Sequence, residues 1–192
     1  MPIFGHSSTW AAQGRSIYDR ISSGIFQMGS TNGIVNTITG YFWDWAAPDD
    51  KYDVKCAIYD INSNLVAKTS SATLSDNQWT LQTFKITSNI KLLANQSYYL
   101  CAWGNEGSIG SPPIQFSGQA SEHNLFYNEE DFGDWPEYIP SWNAWYDLGG
   151  ESLEPIIYCE YTEIEETPLS IEGTGRILFY GGSKELKITT VE

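Results

Sequence analysis

The chain has 192 residues, 41% hydrophobic and 15% aromatic, and its 24 acidic side chains outnumber 10 basic ones for a formal net charge of -14. That length suits one domain able to bury a real core, and the aromatic content excludes a disordered chain. So few Lys and Arg leave no cationic cluster for phosphate backbones or anionic lipid, so the expectation is no nucleic-acid partner and no membrane insertion.

In chain order, the N-terminus MPIFGH carries neither a basic region nor a long apolar run, and the expectation is no secretory signal. No stretch approaches the roughly 20 apolar residues of a membrane span. Residues 17–21 suggest one short helical turn. Runs rich in aromatic and β-branched residues then recur between turn signals and predict strands over 24–28, 34–43, 52–60, 65–73, 79–86, 97–103, 114–116, 124–127 and 156–162. In VKCAIYD, Val54, Cys56 and Ile58 alternate with Lys55, Ala57 and Tyr59, the period of a strand half buried in a core. Turns are signalled at 31–33, 48–50, 62–64 and 75–77.

Cys56, Cys101 and Cys159 each lie inside such an apolar run. An odd count at these positions reads as buried free thiols packing as small hydrophobes, and with no CxxC or Cys/His cluster a zinc site is not expected. Folding in a reducing compartment follows from that reading. A secreted protein already stripped of its signal is the alternative.

The charge is local. From Leu92 to Gly175 there is no Lys or Arg, and 15 of the acids fall there. The plain reading is a solvated face, with Ca²⁺ or a basic partner as the others. Inside this stretch, residues 131–150 read DFGDWPEYIPSWNAWYDLGG, without strand alternation, and predict a long ordered loop. After an acidic linker over 163–168, the segment 169–192 reads as a β-hairpin, with 177–180 and 185–189 flanking Gly181-Gly182-Ser183-Lys184. An isolated hairpin is marginal in water, so this one must pack on the strands before it or on a neighbouring chain.

The run 52–103 carries AIYD, LVAKT, Trp79 opening a strand, and LLANQSYYLCAW. Its residues Val54, Ala57, Ile58, Tyr59, Asp60, Leu65, Val66, Ala67, Trp79, Leu92, Ala94, Tyr98, Tyr99, Leu100, Ala102 and Trp103 resemble a jelly-roll module of bacterial, archaeal and viral surface proteins. With GIVNTITGYF before it and SLEPIIYCEYT after it, the likeness spans about 4–162. The resemblance implies an all-β fold, an antiparallel jelly-roll β-sandwich over 1–162 similar to carbohydrate-binding modules and to virion decoration or fibre domains. The C-terminal hairpin lies outside it.

For chemistry, no catalytic residue is expected. Acid pairs that could serve a glycosidase occur by chance in so acidic a segment, and no nucleophile elbow surrounds a serine. A structural Ca²⁺ could be held by Glu129, Glu130, Asp131 and Asp134, or by Asp44, Asp49, Asp50 and Asp53, since loops of jelly-roll modules supply hard oxygen ligands. Otherwise no cofactor is expected. The sharpest ligand candidate is the aromatic group Trp135, Tyr138, Trp142, Trp145 and Tyr146, where sugar rings could stack while Asp131, Asp134, Glu137 and Asn143 accept hydroxyl hydrogen bonds. The competing reading is that most of these rings turn inward to pin the loop, leaving at least one exposed. Trp43 and Trp45 form a second, weaker candidate.

The resulting expectation is a non-catalytic structural or adhesive protein, a virion component of capsid-decoration, turret or fibre type, folded in the host cytoplasm and displayed on the particle surface. Its partners would be copies of itself or capsid and tail proteins, reached through the C-terminal hairpin, and a cell-surface glycan. The alternative is an extracellular carbohydrate-binding module of a secreted enzyme or adhesin, with a glycoside hydrolase last.

Overall fold

The structure is a computed structural model that describes residues 1–7, 13–17, 20–43, 52–74, 78–86, 88–105, 115–120, 125–145 and 153–164. Among the described residues the strands are, in chain order, β1 Ile3–Gly5, β2 Gln13–Ser16, β3 Arg20–Gln27, β4 Gly33–Trp43, β5 Tyr52–Asp60, β6 Leu65–Lys68, β7 Ala72–Leu74, β8 Trp79–Lys85, β9 Lys91–Leu92, β10 Ser97–Gly104, β11 Gln115–Ala120, β12 Leu125–Glu129, β13 Asn143–Trp145, β14 Leu153–Pro155 and β15 Ile157–Glu163. Among the described residues all strand pairings are antiparallel, and they build two sheets. The protein is all-β and sandwich-like, with no helix among the described residues.

The longest strand, β4, is the spine of the first sheet. It pairs with β15 on one side and with β8 and β9 on the other, while β11 meets its Phe42–Trp43 end. The second sheet centres on β10, which is flanked by β3 and β5, and continues through β12 and β13 at one end and β6 and β7 at the other. Strand alternation supplies the core between them. Val35, Ile38 and Phe42 of β4, Tyr52, Val54, Cys56 and Ile58 of β5, Tyr98, Leu100 and Ala102 of β10, and Ile157, Cys159 and Tyr161 of β15 pack into one cluster. The three cysteines are free and buried, as their apolar context predicts.

The predicted strands over 24–28, 34–43, 52–60, 79–86, 97–103, 124–127 and 156–162 each find a counterpart. Three local readings are corrected. The 65–73 run divides into β6 and β7, because Thr69 turns inward, its amide donating to Cys56 O (2.9 Å) and its hydroxyl accepting from Cys56 N (3.0 Å). Arg20 and Ile21 belong to β3, not to a helical turn, and Ile17 is a core residue. The half-buried reading of β5 also fails, because Ala57 and Tyr59 on its other face are buried too. Their cover is a second apolar cluster on the outside of the second sheet. The C-terminal hairpin, Tyr146, Trp45, Asp44, Asp49 and Asp50 lie outside the described residues.

Candidate functional site

The outer face of the second sheet presents Lys55 and Tyr59 from β5 and Tyr99, Cys101 and Trp103 from β10, side by side through the register Tyr99↔Tyr59 and Trp103↔Lys55. Residues 130–142 lie across it. Trp135 and Ile139 are buried there with Ile21, Ala57 and Tyr59, and Phe132 and Trp142 pack against them.

Side chains and backbone groups of the sheet and of the 60–65 turn supply hydrogen bonds to the loop, as an irregular segment laid over a sheet requires. Tyr59 Oη donates to Pro136 O (2.6 Å), and Trp103 Nε1 donates to Glu130 O (3.2 Å). Trp142 Nε1 donates to Ser63 Oγ (2.9 Å), Leu65 N to Glu137 O (2.9 Å) and Ile139 N to Ser63 O (3.0 Å). Ser63 holds φ +65° at the tip of the 60–64 turn, where Asp60 Oδ1 accepts from Asn64 N (2.9 Å). That left-handed residue aims both its carbonyl and its hydroxyl at the loop.

The centre of the site is Lys55. Its side chain is only 7% exposed, and Nζ stands 4.1 Å from the Trp103 ring centroid, 4.4 Å from Phe132 and 5.2 Å from Trp135. Nζ also donates to Gly133 O. A cation enclosed by ring faces trades hydration for quadrupole attraction. Burial nevertheless dominates and lowers the Lys55 pKa to about 8, with the Asp134 carboxylate opposing that shift and Lys68 adding to it. Trp103 and Trp135 interlock beside it at 5.1 Å, and further along the same face Tyr99 stacks on Trp142 at 4.7 Å and 20°.

The loop aromatics therefore divide. Trp135 is 5% exposed, and Trp142 is half buried in its stack. Tyr138 is 55% exposed. Trp145 is placed by its backbone, in β13, and Tyr146 lies outside the described residues. Asp131, Asp134, Glu137 and Asn143 face water. Of the candidate calcium ligands, Glu129 pairs with Arg20 (Oε1 to Nη2, 3.5 Å), while Glu130, Asp131 and Asp134 are exposed. Among the described residues no three His, Cys, Asp or Glu side chains converge as a metal site. Asp53, from the second acidic group, accepts from Thr73 Oγ1 (2.6 Å).

Sequence reasoning missed Lys55, Tyr99 and Trp103 as part of this site. The signal was present in the apolar content of the second face of β5 and β10, since rings in YYLCAW alternate onto a side that a half-solvated strand would keep polar.

Another aromatic group stands on the outer face of the first sheet, where the register pairs Trp43 with Trp79 and Tyr41 with Leu81. Tyr41 and Trp79 stack at 5.2 Å and 28°, Trp43 meets Trp79 edge-on at 5.1 Å, and Leu81 is 42% exposed. The hydroxyls of Thr39 and Thr83 meet at 2.9 Å one pair further along.

As for chemistry, burial pushes all three thiols well up, and they are not nucleophiles at neutral pH. Burial likewise raises the Tyr59 phenol, and Cys101, Glu137 and Glu130 raise it further. The described arrangement can hold a loop rigidly and present aromatic and acidic surface. Comparison with protein-family models and with curated proteins gives no match.

Proposed function

We propose that this chain is a non-catalytic structural and adhesive protein, a surface component of a virion of the decoration, turret or fibre kind, with a jelly-roll sandwich as its body. It would self-assemble, or join capsid or tail proteins, through its C-terminal segment 169–192. The observation that carries this reading is the second core. The loop 130–142 turns Phe132, Trp135 and Trp142 onto the sheet, the first two against Lys55, which favours a durable building block over a mobile, ligand-closing lid. Buried, unpaired thiols support folding in a reducing host cytoplasm before display on the particle. No cofactor is needed for this role.

Light scattering of the full chain and of a variant ending at residue 168 tests it. The full chain should form a defined oligomer and the shortened chain a monomer with an unchanged cooperative thermal transition. An oligomer that survives the deletion overturns the reading.

A second reading, an extracellular carbohydrate-binding module, is favoured by the Tyr41, Trp43 and Trp79 group, whose partly exposed rings could stack on a saccharide. It predicts binders on a glycan array, with Trp79→Ala abolishing the signal. A blank array sinks it.

A further inference from the structure

Residues 130–142 form a closed excursion from the second sheet. Tyr127 pairs with Asn143 in the β12–β13 ladder, and Asn128 Nδ2 donates to Ser141 O (3.0 Å), so the two ends are held together beside β3. From there the loop crosses β3, β10 and β5 to the start of β6, four strand spacings or about 19 Å. At that far side it is clipped to the 60–65 turn. Leu65 N donates to Glu137 O, Ile139 N donates to Ser63 O, and Asn64 bridges Tyr138. A loop of this length with adjoining ends can lift without dragging a strand of the sheet with it.

The apolar contacts of the loop are separate from the inter-sheet core. Phe132, Trp135, Ile139 and Trp142 pack in the outer cluster with Ile21, Tyr59, Tyr99, Cys101 and Trp103, whereas Cys56 and Cys159 belong to the inter-sheet cluster. Closing the loop also dehydrates two polar groups. Trp135 Nε1 is buried with no acceptor among the described residues, and Lys55 Nζ exchanges water for one carbonyl and ring faces. Opening returns both to water, which makes the cover the weaker of the two apolar units.

We infer that 130–142 is a strap that opens as one cooperative unit, hinged at β12 and β13 and released at Ser63–Leu65, while the inter-sheet core stays closed. Opening uncovers Lys55, Tyr59, Tyr99, Cys101 and Trp103, an aromatic face with one cation. The strap is shut at rest, and its opening is independent of the assembly role proposed above for 169–192. Local units of this kind exchange with open forms well before the whole chain unfolds.

Cys101 is the reporter, because it lies in the strap's cluster while Cys56 and Cys159 lie in the other. The full-length chain is held in urea below its unfolding transition with a thiol reagent, and modification is followed cysteine by cysteine by mass spectrometry of its peptides. Cys101 should react at least tenfold faster than Cys56 and Cys159, with a shallower dependence on urea, since opening the strap exposes less surface than unfolding. A second measurement uses Ile38→Val, a mild change in the inter-sheet core. It should speed Cys56 and Cys159 by roughly two- to tenfold and leave Cys101 unchanged, because strap opening does not disturb that core. The inference is overturned if Cys101 is no faster than the other two, or if Ile38→Val speeds all three alike. Either result would mean that strap and core open together.

Discussion

The Lys55 ammonium stands 4.1 Å above the Trp103 ring, and that contact ties the outer face of the second sheet to the loop across it. Lys55 belongs to a strand buried on both faces, where a lysine is out of place unless something compensates the lost hydration. Three rings and one carbonyl do so.

Lys55 sets a pH dependence whose sign can be worked out. Its folded pKa is about 8, below the ordinary lysine value of roughly 10.4, so between those values the unfolded chain binds more protons than the folded one. The contribution is fully present above the upper value and is lost as pH falls through 8. Lys55→Met keeps the length, removes the charge and should change stability little at pH 7, within about 1–2 kcal/mol. Denaturant unfolding from pH 7 to 10 should show the wild type gaining on Lys55→Met as pH rises. A constant difference would mean that Lys55 is not desolvated.

The thiols act in the opposite sense. Folding raises all three above the roughly 8.5 of a free cysteine, so their contribution is present below that value and is lost as pH rises above it. In native buffer at pH 8 a thiol reagent should label none of the three, and in denaturant it should label all of them. Fast labelling of the folded chain would contradict their burial.

Trp142 and Ser63 should be energetically coupled. Trp142→Phe keeps a ring against Tyr99 but removes the indole donor, and Ser63→Ala removes its acceptor. Each should cost about 1 kcal/mol, and the double variant less than the sum. Strict additivity in a double-mutant cycle would remove this bond from the loop's anchorage. Trp135→Ala, at the buried end, should cost about 3–5 kcal/mol and admit protease cleavage within 130–142.

Gly24 lies where β3 meets β14. A Cβ there would sit 2.6 Å from Pro155 Cγ and 2.8 Å from Phe26 Cε2, neither on a flexible chain end. Gly24→Ala should therefore destabilise by about 1–3 kcal/mol in thermal or denaturant unfolding. No loss would mean that β14 yields freely.

Most of the β architecture could be read locally. Period-two alternation in GIVNTITGYF, VKCAIYD and YYLCAW locates β4, β5 and β10 to within a residue or two, and the burial of Cys56, Cys101 and Cys159 follows from their apolar neighbours. The short strands β1, β2, β9, β13 and β14 could not be read. Two to four residues carry no period, and they are strands only because a partner edge supplies their hydrogen bonds.

The loop shows the same division. Its density of rings marks 131–145 as special, but ring content alone leaves open whether the rings stack on a ligand or pack inward. That choice depends on what the opposite surface offers. Tyr59, Tyr99, Cys101 and Trp103 converge on one face only once β5 and β10 are paired in register, and only then does Lys55 acquire its enclosure. By itself the sequence determined an acidic, aromatic, all-β chain with buried thiols, because those properties follow from composition and nearest-neighbour alternation. The tertiary structure alone decided that the second sheet is covered on its outer face as well as its inner one and that Lys55 is enclosed there, because both depend on strands distant in sequence becoming neighbours in space.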